Sequence, residues 1–213
     1  MKTSIIILFI IIFCSCKETK KPEPNFTQKS KTWKILLKNN LGDLEVILAN
    51  NLDTFFTWTQ YSDCGDPCAF SDYRIQNSSL PIFKESGFIY KTLKDSVEQF
   101  TLKHSKIPKP WPFKDSVMVK MYLEKLKSEA YENRENKYLI DTILHIDNRT
   151  YAVIAYTSYD TTIKAKINIL NAATSLKGER IEFYFEKRNS YKDKNSEIFL
   201  SNSLESLNSI RLK

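Results

Sequence analysis

The chain has 213 residues, of which 42% are hydrophobic and 13% aromatic, with a formal net charge of +7 and a mean hydropathy of −0.39. Four glycines and seven prolines exclude a collagen-like or low-complexity chain, and the aromatic content argues for a folded body. The charge does not argue for nucleic acid: residues 17–38 hold seven lysines against two glutamates, while residues 39–213 hold 24 basic against 23 acidic side chains.

The first element is MKTSIIILFIIIFCSCK. Lys2 gives it a positive start, and Ile5 to Phe13 is an unbroken apolar run. A bilayer span takes about 20 helical residues, so this shorter run reads as the apolar part of a secretory signal. The residues that end it, Phe13-Cys14-Ser15-Cys16, resemble the lipobox of bacterial lipoproteins, where a small residue precedes an obligatory Cys that is diacylated before cleavage. The resemblance implies removal of residues 1–15 and a lipidated Cys16 as the first mature residue. Cys14 fits less well, because Phe13 would occupy the position where bulk is excluded, and Phe13 itself stands where Leu is usual in the box. The location implied is the cell envelope, anchored by lipid to a membrane (the outer membrane), with the body in the periplasm or at the cell surface. A plain cleaved signal and an uncleaved anchor are the alternatives.

Residues 16–32 follow as a lipidated tether. They are polar, contain Pro22 and Pro24, and are expected to be extended. Lysines here sit where an anionic leaflet attracts them. Residues 33–213 are expected to form one α+β domain, long enough to build its own core.

Two cysteines remain in the body, Cys64 and Cys68, in SDCGDPCAF. An even remainder in an exported chain points to a disulfide, and Gly65, Asp66 and Pro67 suit the turn it would close. The pair, taken with His145 far downstream, also resembles the copper-handling thioredoxin-like assembly factors of respiratory oxidases, which implies a redox or copper site from Cys64, Cys68 and His145. That fold needs a helix opening at the second Cys to lower its pKa. The residues that follow here, AFSDYRIQNSSLPIF, are polar and β-leaning instead.

Along the body, Leu44, Val46 and Leu48 alternate as a strand, and Asn50-Asn51-Leu52 reads as a hairpin connection. The spacing of Met118, Met121, Tyr122, Leu126 and Ala130 predicts an amphipathic helix over about 114–132, with Asp115 as its N-cap. YLIDTILHI and RTYAVIAY meet at Asp147-Asn148, another hairpin. Tyr151 to Tyr159 is apolar on both faces and reads as a central strand. Ile163, Ala165, Ile167 and Ile169 alternate with Lys164, Lys166 and Asn168, giving a strand wet on one face. After the turn at 175–178, Ile181, Phe183 and Phe185 repeat the pattern. Leu200, Leu204, Leu207 and Ile210 mark a second helix over about 196–210. The expected fold class is therefore an antiparallel β-sheet with two amphipathic helices packed on it, an order that loosely resembles PsbP-like α/β/α sandwiches.

No nucleophile elbow, zinc-protease, P-loop or dinucleotide fingerprint occurs. His104 and His145 read as ordinary strand or surface residues, and Met118 and Met121 as core filler rather than a copper site. Trp58, Tyr61, Tyr73, Trp111 and Phe113 lie in or beside loops and suit a recognition surface. The expectation is a non-enzymatic envelope protein, with no catalytic residues, metal or cofactor. Its partners would be the membrane, through the anchor, and an envelope protein or small ligand, not nucleic acid.

Overall fold

The computed structural model describes residues 29–61, 63, 68–80, 97–107, 115–132, 136–161, 164–190 and 196–213. Cys14, Cys16, Cys64, Trp111, Phe113, Ile163 and most of the expected tether lie outside them. The elements are β1 (Ser30–Leu37), β2 (Gly42–Ala49), β3 (Thr54–Gln60), β4 (Phe70–Gln76), β5 (Val97–Lys106), α1 (Asp115–Tyr131), β6 (Lys137–Ile146), β7 (Arg149–Asp160), β8 (Ala165–Leu176), β9 (Glu179–Ser190), α2 (Ser196–Asn208) and β10 (Arg211–Leu212). Because β1 starts at Ser30, the folded body begins inside the stretch 16–32 expected as tether. No helix among the described residues is long and apolar enough to cross a membrane.

The fold is β-rich and antiparallel with two helices, and its strands form two sheets rather than one. A small sheet has the order β1-β2-β10, and a large one the order β3-β4-β5-β9-β8-β7-β6. The Asn50–Leu52 connection therefore carries the chain from one sheet to the other and is not a hairpin. The two hairpins expected at Asp147-Asn148 and 175–178 do form, the second turning at Lys177-Gly178, with positive φ at all four turn residues. That is the twist a two-residue turn needs to match its flanking strands. Asn39 and Asn40 play the same part between β1 and β2.

The inner face of the large sheet carries Phe100, Leu102, Tyr151, Val153, Leu170, Ile181 and Phe183, all buried. Leu44, Val46 and Leu48 of the small sheet and Phe199 and Leu207 of α2 complete this core. Each buried side chain of this size contributes about 1.5–3 kcal/mol of transfer free energy. On α2 the buried stripe is Phe199, Ser203, Ser206 and Leu207, rotated from the expected leucine row: Leu200 and Leu204 pack only at its margin. Asn168 also departs from expectation. It turns inward, and its side-chain carbonyl accepts from Thr157 at 3.0 Å.

On the outer face, α1 packs Met118, Val119, Tyr122, Leu126 and Ala130 against Ala152, Ile154 and Ala173. Met121, expected on this stripe, stays exposed. Asn136 and Tyr138 both donate to the Ala130 carbonyl, at 2.6 and 2.7 Å, and so cap the end of α1. The helix packs mainly on β6, β7 and β8, and its Tyr122 ring lies 5.1 Å from the Arg180 guanidinium of β9. The outer face of β3, β4 and β5 lies beyond it.

Candidate functional site

The sequence candidates do not converge. Cys68 is held in a disulfide, but its partner lies outside the described residues. It leads into strand β4, not into a helix, so no helix N-terminus is there to lower a thiol pKa. His145 is on β6, at the opposite edge of the large sheet, where its Nδ1 pairs with Thr150 Oγ1 at 3.0 Å. Five strand spacings of about 4.8 Å separate β4 from β6, which puts His145 about 24 Å from Cys68. Tyr73, expected as an exposed aromatic, is buried, while Tyr61 is exposed and Trp58 half-buried.

The other histidine is where sequence reading missed a structured feature. His104 is buried on the inner face of β5, with its Nε2 3.0 Å from the Tyr73 hydroxyl and its Nδ1 2.5 Å from Glu179 Oε2. Asn39 donates to the other Glu179 oxygen at 2.8 Å, and the Lys38 backbone N–H donates to the Tyr73 oxygen at 2.7 Å. With the carboxylate accepting at Nδ1, a neutral imidazole places its proton there and accepts the Tyr73 O–H at Nε2. Burial pushes the Tyr73 phenol above its usual range. A Tyr–His–Glu chain resembles acid–base machinery, but the Lys38 N–H closes the Tyr73 oxygen and only 2% of the residue is exposed. No substrate reaches it. The chain ties the β1–β2 turn to three strands of the large sheet.

The outer face offers the accessible chemistry. Strand pairing lines up Phe56, Arg74, Thr101, Tyr184 and Asn171 across β3, β4, β5, β9 and β8. The next row is Trp58, Asp72, Lys103 and Glu182. Phe56 stacks on Trp58 with ring centroids 5.5 Å apart, and Arg74 lies over the Trp58 ring at 5.2 Å while its Nε donates to Thr101 at 3.1 Å. Lys103 stands 3.9 Å from Asp72 and between the rings of Phe70 and Tyr184. Burial raises the Asp72 carboxyl above its ordinary value, against the pull of Lys103 and Arg74. The Tyr184 hydroxyl donates to Glu182, and both burial and that carboxylate push its phenol up.

Two further ion pairs neutralise this face from within. Arg180 Nε is 2.6 Å from Glu182 Oε1, and Arg188 Nε is 2.5 Å from Glu186 Oε1. Four polar atoms here are buried without a hydrogen-bond partner: Trp58 Nε1, Arg180 Nη2, Gln99 Oε1 and Asn171 Oδ1. A buried polar atom left unpaired costs about 1–3 kcal/mol, and atoms in the same condition lie elsewhere in the fold, at Trp33 Nε1, Asn168 Nδ2 and Glu205 Oε2. Among the described residues, no group of three or more His, Cys, Asp or Glu side chains is placed to hold a metal ion.

No family model and no curated protein matches this chain. Among solved structures, the solution structure of cyanobacterial PsbP (CyanoP) from Synechocystis sp. PCC 6803 covers 88% of this chain and 95% of its own, at 10% identity and a TM-score of 0.46. The immunity protein TplEi of the T6SS from Pseudomonas aeruginosa, complexed with "L" peptide, covers 70% of this chain and 50% of its own, at 11% identity and a TM-score of 0.36. The first is of the type that the element order loosely resembles. At these scores neither likeness carries an argument about function.

Proposed function

We propose that the protein is a non-catalytic, lipid-anchored component of the cell envelope that binds a ligand on the polar outer face of β3, β4, β5 and β9. The observation that carries this reading is the outer-face array of ion pairs beside the stacked, half-buried Phe56 and Trp58 rings. Under α1 the outer face offers Ala152, Ile154 and Ala173, whereas the rows beside it carry charged side chains. Phe56, Trp58, Arg74 and Lys103 stay half-buried, which suits a surface meant to be reached.

The lipid anchor rests on the lipobox-like run ending at Cys16, and the Cys64–Cys68 pair on the turn-forming spacer between them together with the disulfide at Cys68. In this reading Cys16 holds the chain at a membrane, and the disulfide pins the loop leading into β4.

Mass spectrometry of the protein extracted from membranes tests both halves. The denatured, reduced chain is expected to begin at Cys16 and to carry acyl chains. Under native conditions it is expected to retain a further mass that Trp58→Ala loses. An unacylated start at another residue refutes the anchor. Identical native and denatured masses, in wild type and variant alike, refute the binding face.

A further inference from the structure

We propose that β3 is an interface strand, which pairs antiparallel with β3 of a second copy of this chain and joins two large sheets across a twofold axis. The inference is independent of any ligand on the outer face. Four strands end the two sheets, β1 and β10 in the small one and β3 and β6 in the large one. A terminal strand presents a row of open backbone N–H and C=O groups, and proteins that keep such an edge unpaired blunt it with charge, shortness or a bulge. Three of these edges are blunted. β10 is two residues long and carries Arg211. β1 carries Lys31 and Lys34. β6 has a bulge between Tyr138 and Ile140, and its Asp141 lies 2.9 Å from Lys127 of α1.

β3 has none of these devices. Its sequence, TFFTWTQ, holds no charge and no proline, and all seven residues pair with β4 in unbroken register. Six of the seven are β-branched or aromatic, a composition that favours further pairing. On its other side no strand is hydrogen-bonded to it among the described residues. Trp33 of β1 comes within 6.3 Å of Phe55, yet β1 pairs with β2 alone. Phe55 is 40% exposed, and Thr57 is exposed as well.

The strand's own symmetry points to the partner. Alternation along the pleat makes even-numbered residues meet even-numbered ones, and the register that overlaps all seven puts Thr57 on the axis. Thr57 then faces its own copy, Phe56 faces Trp58 and Phe55 faces Thr59. Pairs of these types stabilise a ladder by about 0.2–1 kcal/mol each. No like charges meet, whereas β1 set against itself would gather Lys31 and Lys34 from both copies. A twofold contact uses up both β3 edges and stops at two chains.

Native mass spectrometry of the full mature protein in detergent, over a dilution series, tests the inference. The wild type is expected to form a dimer. Thr57→Lys and Thr57→Glu each set like charges face to face and should weaken it about tenfold or more. An equimolar mixture of the two should restore it as a heterodimer. Thr57→Val, which loses only the hydrogen bond to the Asp72 carbonyl, should dimerise like the wild type. Amide exchange needs no variant: protection across residues 54–60 should rise with protein concentration. A wild type that stays monomeric throughout overturns the inference. So does a dimer that both charged variants keep, or one that their mixture fails to restore. A bound foreign polypeptide that both charged variants lose overturns the second copy as partner.

Discussion

His104 Nδ1 sits 2.5 Å from Glu179 Oε2, and neither residue is more than 4% exposed. The pair spans β5 and β9, and through Asn39 and Tyr73 it also fixes the turn of the small sheet. Truncating one partner leaves the other buried with one polar atom unanswered.

Glu179→Ala is therefore expected to destabilise the fold by about 1–3 kcal/mol, the range for leaving a buried donor without its partner. Adding His104→Phe to that variant should restore part of the loss, because the second change removes the stranded imidazole. Urea midpoints of the four proteins in the cycle measure this. Additive losses would show that the two side chains do not act as a unit.

The two described glycines with positive φ predict opposite outcomes. At Gly42 (φ 101) an added Cβ would lie 1.9 Å from the Lys213 carbonyl oxygen, whereas at Gly178 (φ 80) it would meet nothing within 4 Å. Gly178→Ala carries only the left-handed backbone penalty, about 1–2 kcal/mol. Gly42→Ala adds a backbone clash and should cost more, while also loosening β10. Thermal melts, with amide exchange at residues 211–213, check both.

Alkaline stability should respond to Tyr151. Burial pushes its phenol up to about 12 from a usual 10.0, so the folded chain keeps a proton that the unfolded chain has already released. The stability this contributes is complete below pH 10 and is lost as pH rises toward 12, by at most about 3 kcal/mol. Tyr151→Phe should flatten the decline over that window without abolishing it, since Tyr156 is raised for the same reason. Denaturation midpoints at pH 9 and pH 11.5 give the comparison.

Ala152 and Ala173 are fully buried beneath α1, and their small side chains set how closely the helix approaches the sheet. Ala173→Leu is expected to cost about 1–3 kcal/mol by overpacking. It should also move Tyr122, whose ring lies 5.1 Å from the Arg180 guanidinium. A stability loss with unchanged ligand binding would mean that the α1 half and the polar half of the face are independent.

The sequence made the period-2 strands and the two helices legible, because Leu44, Val46 and Leu48, and likewise Ile181, Phe183 and Phe185, bury one side of a pleat. It did not reveal two sheets, since strand order is a long-range property and the three residues between β2 and β3 look like a hairpin loop. Asn168 was misread because its polarity outweighed its place in the register. The outer-face array was hidden for the same reason: Arg74, Lys103 and Glu182 come from three strands, and nothing local marks them as neighbours. His104 carried no motif at all. Only its partners, Tyr73 and Glu179, give it meaning.

Asp43 and Lys213 exchange both backbone hydrogen bonds, at 3.2 and 2.9 Å, so the small sheet is completed by the last described residues of the chain. A ribosome delivers Asp43 long before Lys213. Throughout synthesis the β1–β2 hairpin keeps the β10 side of β2 unpaired, an edge open to wrong partners. Closing it requires one of the longest sequence separations available here, the kind of contact that slows folding. The small sheet is therefore expected to mature last, and the chain to depend on being shielded until its final strand arrives.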